Sequence, residues 1–241
     1  MLTAGLLVIG NEILSGKVVD TNSPYLAKEL RSLGVELQRI LTIADDTDLI
    51  AWETRVMSDT FDYVFTSGGI GPTHDDLTME AVAKAFDRKL VQSQSMYDRI
   101  ARNQPEPLNE SQRKMAMLPE GAKVVDAGDL WFPIVIVENV HVLPGIPQLF
   151  EKKFEAIRDR FRGDPFHLKQ VFVTRHESDI AQSLHDLLGE FPNVMLGSYP
   201  RLGETHYRVL LTLESRDLAY LERALASLLE RIPDEAVHRV E

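Results

Sequence analysis

Apart from Thr3, apolar positions run from residue 2 to residue 9 and stop at Gly10, the pattern of a parallel strand covered on both faces. Residues 24–33 switch to helical spacing, with Pro24 in the first turn and Gly34 as the stop. Residues 35–43 predict a second strand, and the acidic stretch "ADDTDLI" supplies caps for a helix reaching about Thr60. A short third strand at 63–66 delivers the loop "GGIGPTHDD", and a helix over 77–86 follows it. Strand, helix, strand, helix is the signature of a parallel sheet with crossover helices, whose ligands sit beyond the carboxyl ends of the strands.

Two further helices are expected at 95–102 and 111–117, separated by the breaker stretch "NQPEPLN". "FPIVIVENVHVLPGIP" reads as two short strands turning at Glu138 and Asn139, and Pro147 opens a helix through about Phe161. The break at residues 163–165 divides a domain of residues 1–163 from a smaller one of residues 166–241. In the second, strands at 171–174, 194–199 and 207–213 and helices at 178–188 and 218–232, with a strand near Val237, resemble a split βαβ sandwich. The expected class is α/β with a mostly parallel sheet, followed by a small α+β domain.

Composition narrows the chemistry. Hydrophobic residues at 44% and charged residues at 26% are ordinary for a globular protein. The 37 acidic against 26 basic residues give a net charge of −11, which repels a polyphosphate backbone and argues against nucleic acid as a partner. A small phosphorylated ligand is compatible with that charge if a divalent metal bridges it to carboxylates. The absence of cysteine removes disulfides, thiolate zinc sites and thiol nucleophiles. The opening "MLTAGLLVIG" lacks a basic flank and is too short to span a bilayer, so a cytoplasmic protein without a membrane partner is expected.

Stock motifs are missing: no phosphate loop ending in Gly-Lys-Ser/Thr, no nucleophile-elbow serine, no His-Glu-x-x-His. "GGIGPTH" lacks the third glycine of a dinucleotide fingerprint. Gly68, Gly69 and Gly71 nevertheless permit positive φ and let amides approach an anion, as a nest requires, and the following helix start adds positive potential. Asp75 and Asp76 repel phosphate unless a cation lies between; a tight turn with a helix cap uses the same residues equally well. In the first loop, Glu12 is a candidate metal ligand through water and Lys17 a phosphate contact, while Gly10 and Gly16 permit close approach. A solvated loop is the alternative for each. Asp45 and Asp46 end the second strand at the same sheet edge, as ligands or as helix caps. His74 is near enough to touch a ligand or to face solvent. Trp131 and Phe132 suit ring stacking or core packing, and Arg113 and Lys114 suit a solvated helix face or an anion.

Taken together, "GNEILSGKVVDTN", "IADD", "TSGGIGPTHDDLT", "MLPEGA" and "VLPGIP" resemble, in order and approximate spacing, the molybdopterin-binding-type domain of the CinA (competence/damage-inducible protein A) family over about residues 2–162. The resemblance implies a three-layer, mostly parallel sheet and a smaller second domain. It implies metal and phosphate roles for Asp76 and Asp45, a phosphate pocket lined by Gly68, Gly69, Gly71, Thr73 and Thr78, and a second turn at Pro144, Gly145 and Pro147. Homo-oligomers are implied too. Superfamily members adenylylate molybdopterin; CinA-type domains are associated with metal-dependent hydrolysis of nucleotide pyrophosphates such as ADP-ribose; a related domain in FAD synthetases looks like an FAD-cleaving module. Where many relatives carry a "GTAPG"-like loop, this chain has "DAGDLWFP", which weakens the case for pterin binding and looks closer to the FAD-synthetase type. The chain ends without the CinA deamidase domain, so nicotinamide-nucleotide deamidation is not expected.

The leading expectation is therefore hydrolysis of a nucleotide pyrophosphate, with Mg, Mn or Co held by Asp76 and Asp45 and supported by Glu12 or Asp75. Nucleotidyl transfer to a pterin and non-catalytic nucleotide sensing are the alternatives.

Overall fold

The computed structural model describes residues 1–103, 107–128, 130–204 and 206–241, and of Trp131 the backbone alone. Two compact units divide the chain, Met1–Gly163 and Asp164–Glu241.

In the first unit, β1 (Thr3–Ile9) is followed by α1 (Asn11–Leu14), α2 (Asn22–Ser32), β2 (Glu36–Ile43), α3 (Thr47–Thr60), β3 (Tyr63–Ser67) and α4 (Thr78–Ala85). Then come β4 (Leu90–Gln92), α5 (Gln94–Asn103), α6 (Glu110–Lys114), β5 (Met117–Pro119), β6 (Lys123–Ala127), β7 (Leu130–Val137), β8 (Val140–Leu143) and α7 (Pro147–Ile157). Pro24 falls in the first turn of α2, where its missing N–H costs no helix bond, and Gly34 just past that helix takes φ 78°, a left-handed stop. Asp46 caps α3 by accepting from Leu49 N at 2.8 Å.

The main sheet has the order β2-β1-β3-β8-β7-β6. The β1–β2, β1–β3 and β3–β8 pairs are parallel, whereas β7 runs antiparallel to both β8 and β6. Chain direction therefore brings the carboxyl ends of β1, β2, β3 and β8 to one edge. The strand order reverses between β1 and β3, which opens the crevice expected at such a switch point. Side-chain alternation along β1 feeds two cores. Ala4, Leu6 and Val8 pack with Leu26 and Leu30 of α2 and Phe150, Phe154 and Ile157 of α7; Leu7 and Ile9 pack with Ile50 and Met57 of α3, Val82 of α4 and Ile100 of α5. Leu6, Leu7, Leu26 and Ile50 are completely buried, each contributing about 1.5–3 kcal/mol. The result is a three-layer α/β/α unit with a mostly parallel sheet.

The hairpin expected at Glu138 and Asn139 forms between β7 and β8, with Glu138 at φ 51°. Asn139 donates to the carbonyls of Ser58 (3.0 Å) and Phe61 (2.8 Å), so the turn also caps the end of α3. One expectation is corrected: the helix foreseen over 111–117 ends at Lys114, because Met117–Pro119 pairs with Leu90–Gln92 as a two-stranded ribbon. Two-residue alternation over three residues is too short a signal to read against helical spacing.

The second unit runs β9 (His167–Val173), α8 (Glu177–Glu190), β10 (Met195–Pro200), β11 (Val209–Ser215), α9 (Leu218–Arg231) and β12 (Val237–Val240). Its sheet order is β10-β11-β9-β12, every neighbour antiparallel, so β11 is inserted between the two strands that α8 joins. This is a split βαβ arrangement. Its core is built from Val171, Val173, Leu211 and Leu213 against Ile180 and Leu187 of α8 and Leu221 and Leu228 of α9.

His141 on β8 is buried among Phe65, Tyr63 and Phe161, stacked on Phe65 at 5.3 Å. Burial pushes its pKa from 6.5 down to about 4. Between those values the unfolded chain binds the proton and the folded chain does not, so stability falls as pH falls. Urea unfolding is expected to lose on the order of 2–3 kcal/mol from this group between pH 6.5 and 4, and His141→Leu to flatten that part of the slope. Equal slopes in the two proteins would show that the imidazole is not held neutral.

Candidate functional site

Beyond the carboxyl ends of β1, β3 and β8 lies a cavity of about 570 Å³. Three elements converge on it. The glycine loop after β3 contributes Gly68, Gly69, Ile70, Gly71, Pro72 and Asp76; the turn after β8 contributes Pro144, Gly145 and Ile146, continuing into Pro147 and Leu149 of α7; α1 contributes Glu12. Val18, Met115, Leu130 and Phe132 close the apolar walls. The loops are pinned to the ladders, since Gly10 N donates to Ile43 O (3.1 Å) and Gly68 N to Leu143 O (3.2 Å).

The glycine loop is held open by its own contacts. Thr78, completely buried, donates through its hydroxyl to Gly68 O (2.9 Å) and through its amide to Gly69 O (2.9 Å). Asp76 accepts from the amide (2.8 Å) and the hydroxyl (2.5 Å) of Thr73. Lys114 donates to Thr73 O at 2.5 Å, which makes it a brace for the loop. Gly68 and Gly69 adopt φ 109° and 66°, and a Cβ on Gly68 would overlap the carbonyl oxygen of Ile9. The amides of Gly69, Ile70 and Gly71 donate to no acceptor among the described residues, and all three residues line the cavity.

The predicted residues divide accordingly. Glu12, Gly68, Gly69, Gly71, Asp76, Pro144, Gly145 and Pro147 line the cavity, together with Phe132. Thr73 and Thr78 act one step back, on the loop's own atoms. Gly10 and Gly71 make room for carboxylates rather than for a ligand: a Cβ on Gly10 would sit 2.5 Å from both Glu12 oxygens, and one on Gly71 2.7 Å from Asp76 Oδ2. Asp45 is turned to the first loop, accepting from Asn11 N at 2.8 Å, and is not among the cavity residues. It positions α1, and thereby Glu12. Lys17 is exposed on the first loop, Asp75 is exposed with His74 at 3.9 Å, and Arg113 donates to Leu108 O at 2.9 Å. The Trp131 side chain lies outside the described residues. Among the described residues no three His, Asp or Glu side chains gather as a protein cage for a metal. Glu12 and Asp76, the two carboxylates lining the cavity among the described residues, suit the sparser pattern in which one or two carboxylates share a hard cation with ligand phosphates.

The helix whose first turn opens on the cavity is α7, not α4, whose first amide is committed to Gly69 O. From α7 also comes a residue that sequence patterning hides. Lys153 is 2% exposed, donates to Pro133 O at 2.7 Å, and places its ammonium 4.7 Å from the centre of the Phe132 ring. Burial pushes its pKa from 10.5 down to about 7. Neither lysine of "PQLFEKKFEAI" is among the site residues expected from the sequence. The signal was the register: Phe150, Lys153, Phe154 and Ile157 share one buried helical stripe.

Residues 5–162 match the family model described as a probable molybdopterin binding domain. The chain belongs to that family. The molybdopterin-binding-type unit is similar to the crystal structure of CinA, a protein of unknown function from Thermoplasma acidophilum, at 30% identity and a TM-score of 0.61 over 67% of this chain and 99% of that one. The CinA-type resemblance carried by the loop motifs thus holds in three dimensions. Residues 165–241 match the model of the FAD synthase middle domain. An Archaeoglobus fulgidus protein is 38% identical over 95% of this chain and 98% of its own length. A probable FAD synthase from Caenorhabditis elegans is 33% identical over 98% of this chain, which spans 51% of that relative. No helix among the described residues is long and apolar enough to cross a membrane.

Two substitutions probe this family member's cavity. Gly68→Ala forces a side chain into a left-handed φ and onto the Ile9 carbonyl, so unfolding experiments should register a loss on the order of 2–4 kcal/mol. Lys153→Met should do the opposite. The unfolded amine titrates near 10.5 and the folded one near 7, so its cost is full below pH 7 and vanishes above pH 10.5. After the lost bond to Pro133 O, a gain of about 1–3 kcal/mol at pH 7 is expected, shrinking toward pH 10. A gain independent of pH would mean that the amine titrates normally.

Proposed function

We propose that this chain binds a nucleotide pyrophosphate, such as ADP-ribose or FAD, across the glycine loop and adds water to its P–O–P bond, giving two phosphate monoesters of which AMP is one. The observation that carries the reading is the set of uncommitted amides at Gly69, Ile70 and Gly71 in a cavity that also contains Glu12 and Asp76. Amides of this kind stabilise phosphoryl oxygens, most strongly where charge grows in the transition state. The first turn of α7 adds the positive end of a helix dipole to the same cavity. Glu12 and Asp76 oppose an anion by themselves, so the scheme includes a divalent cation. Mg, Mn or Co, when bound, supplies charge neutralisation and Lewis acidity. Glu12 and Asp76 are the residues proposed to hold it; Thr73 fixes the Asp76 carboxylate, and Asp45 fixes the loop that carries Glu12.

The likeness of the two parts of the chain to molybdopterin-binding and FAD synthase domain models supports a nucleotide or related cofactor as ligand. The family model also favours a second reading, in which the cavity holds a pterin and accepts an adenylyl group; adenylylated pterin formed from ATP would establish it. Homo-oligomerisation stays part of the proposal on family grounds.

The test is chromatography of AMP released from a panel of nucleotide pyrophosphates with Mg, Mn and Co. The wild-type chain should release AMP, and Asp76→Asn should lower the rate at least about a hundredfold, the scale of losing charge stabilisation at the reacting phosphate. Full turnover by Asp76→Asn would remove this carboxylate from the mechanism.

A further inference from the structure

The cavity contains more than a phosphate site requires. Its lining separates chemically into loop amides with two carboxylates on one hand, and on the other an apolar enclosure of Ile70, Met115, Leu130, Phe132 and Leu149 with Lys153. Lys153 is the only cationic residue lining the cavity among the described residues. We propose that Lys153 selects the ring that enters this enclosure, donating to a carbonyl oxygen on the ring edge and so favouring an oxo-bearing heterocycle, such as the flavin of FAD, over an amino-bearing one such as adenine, which lies outside the enclosure. The inference rests on the reading of the cavity as a nucleotide diphosphate site.

Three observations support it. First, Lys153 uses one donor on Pro133 O and makes no other hydrogen bond among the described residues, so an ammonium with three donors keeps capacity for a ligand. Second, its stem is fixed: at 2% exposure, with its charge over the Phe132 ring, the head group has little freedom to follow a mobile phosphate. Third, an apolar enclosure that includes the Phe132 ring suits a heterocycle, and a buried donor within it discriminates strongly, because an amino group opposite it leaves both donors unpaired. Its depressed pKa agrees with this role, since an amine only partly charged at neutral pH is a weak partner for a dianion and a good donor to a neutral carbonyl.

Titration calorimetry on the full chain tests the proposal, with calcium replacing magnesium to hold back turnover. The probes are inorganic pyrophosphate and two matched pairs, inosine against adenosine diphosphate and uridine against cytidine diphosphate. Wild-type protein should favour the oxo member of at least one pair by roughly tenfold, the scale of one hydrogen bond to a charged group. Lys153→Met should reduce that preference to about twofold or less while leaving pyrophosphate affinity within about twofold of wild type. The wild-type comparison needs no variant, and melting at pH 7 checks that the variant is folded. Absence of a preference in wild type, its survival in Lys153→Met, or a loss of pyrophosphate affinity in that variant overturns the assignment, the last by placing the amine on phosphate. Pyrophosphate binding without any ring preference overturns the Lys153 role alone; failure of every probe to bind overturns the nucleotide reading with it.

Discussion

The cavity depends on one close approach of backbone to backbone. Gly68 leaves β3 at φ 109° with its Cα against the Ile9 carbonyl at the end of β1, and a Cβ on Gly145, after β8, would stand 3.3 Å from that same Cα. Three strand ends are thereby drawn to one point. No side chain fits there, and because none fits, the glycine loop bends away from the sheet with its next amides unpaired. The parallel sheet supplies the edge; the glycines decide that the edge is hollow instead of filled.

That geometry sets the electrostatics. Amide donors and a helix amino end favour an anion in the hollow, yet the chain sets Glu12 and Asp76 beside it and gives each a glycine to lie against. The Asp76 carboxylate is held by Thr73, and the loop carrying Thr73 is braced in turn by Lys114. Carboxylates that served only as caps would have no reason to line a cavity. Asp46 shows the contrast: it caps α3, faces the charge of Lys84 and is not among the residues lining the cavity. Asp45 behaves like Asp46 in contact and unlike it in consequence, since the amide it holds belongs to the residue next to Glu12.

Much of this was legible in the sequence. The apolar run of β1 and the Gly34 stop define their elements by local chemistry, and the glycine loop is visible because close approach demands a residue type. What was illegible depends on distant partners. Whether Asp45 faces a ligand or the amide of Asn11 is decided by where α1 lies over β2, which no spacing encodes. The short ribbon of β4 and β5 exists only because two segments some 25 residues apart meet, a pairing with no periodicity of its own. Lys153 is hidden by its type: lysine is so seldom buried that its place in the stripe of Phe150, Phe154 and Ile157 does not mark it as a core residue.

A buried amine is costly, and its cost is informative. A methionine at position 153 would fill the same stripe of α7 without desolvating a cation, so stability alone gives no account of the lysine. The neighbouring recess repeats the pattern. Asn22, 4% exposed, donates to Ser67 Oγ and Gly145 O at 2.9 Å each, while its own side-chain oxygen has no partner among the described residues. That asparagine, the lysine and the loop amides all border the switch-point crevice, each with hydrogen-bonding capacity that the fold leaves unused. Asn22 is a buried polar group of the kind that is ordinarily satisfied, whereas the half-buried loop amides lie where solvent or a ligand reaches them, so the unused capacity gathers on the side of the fold that the proposed site occupies.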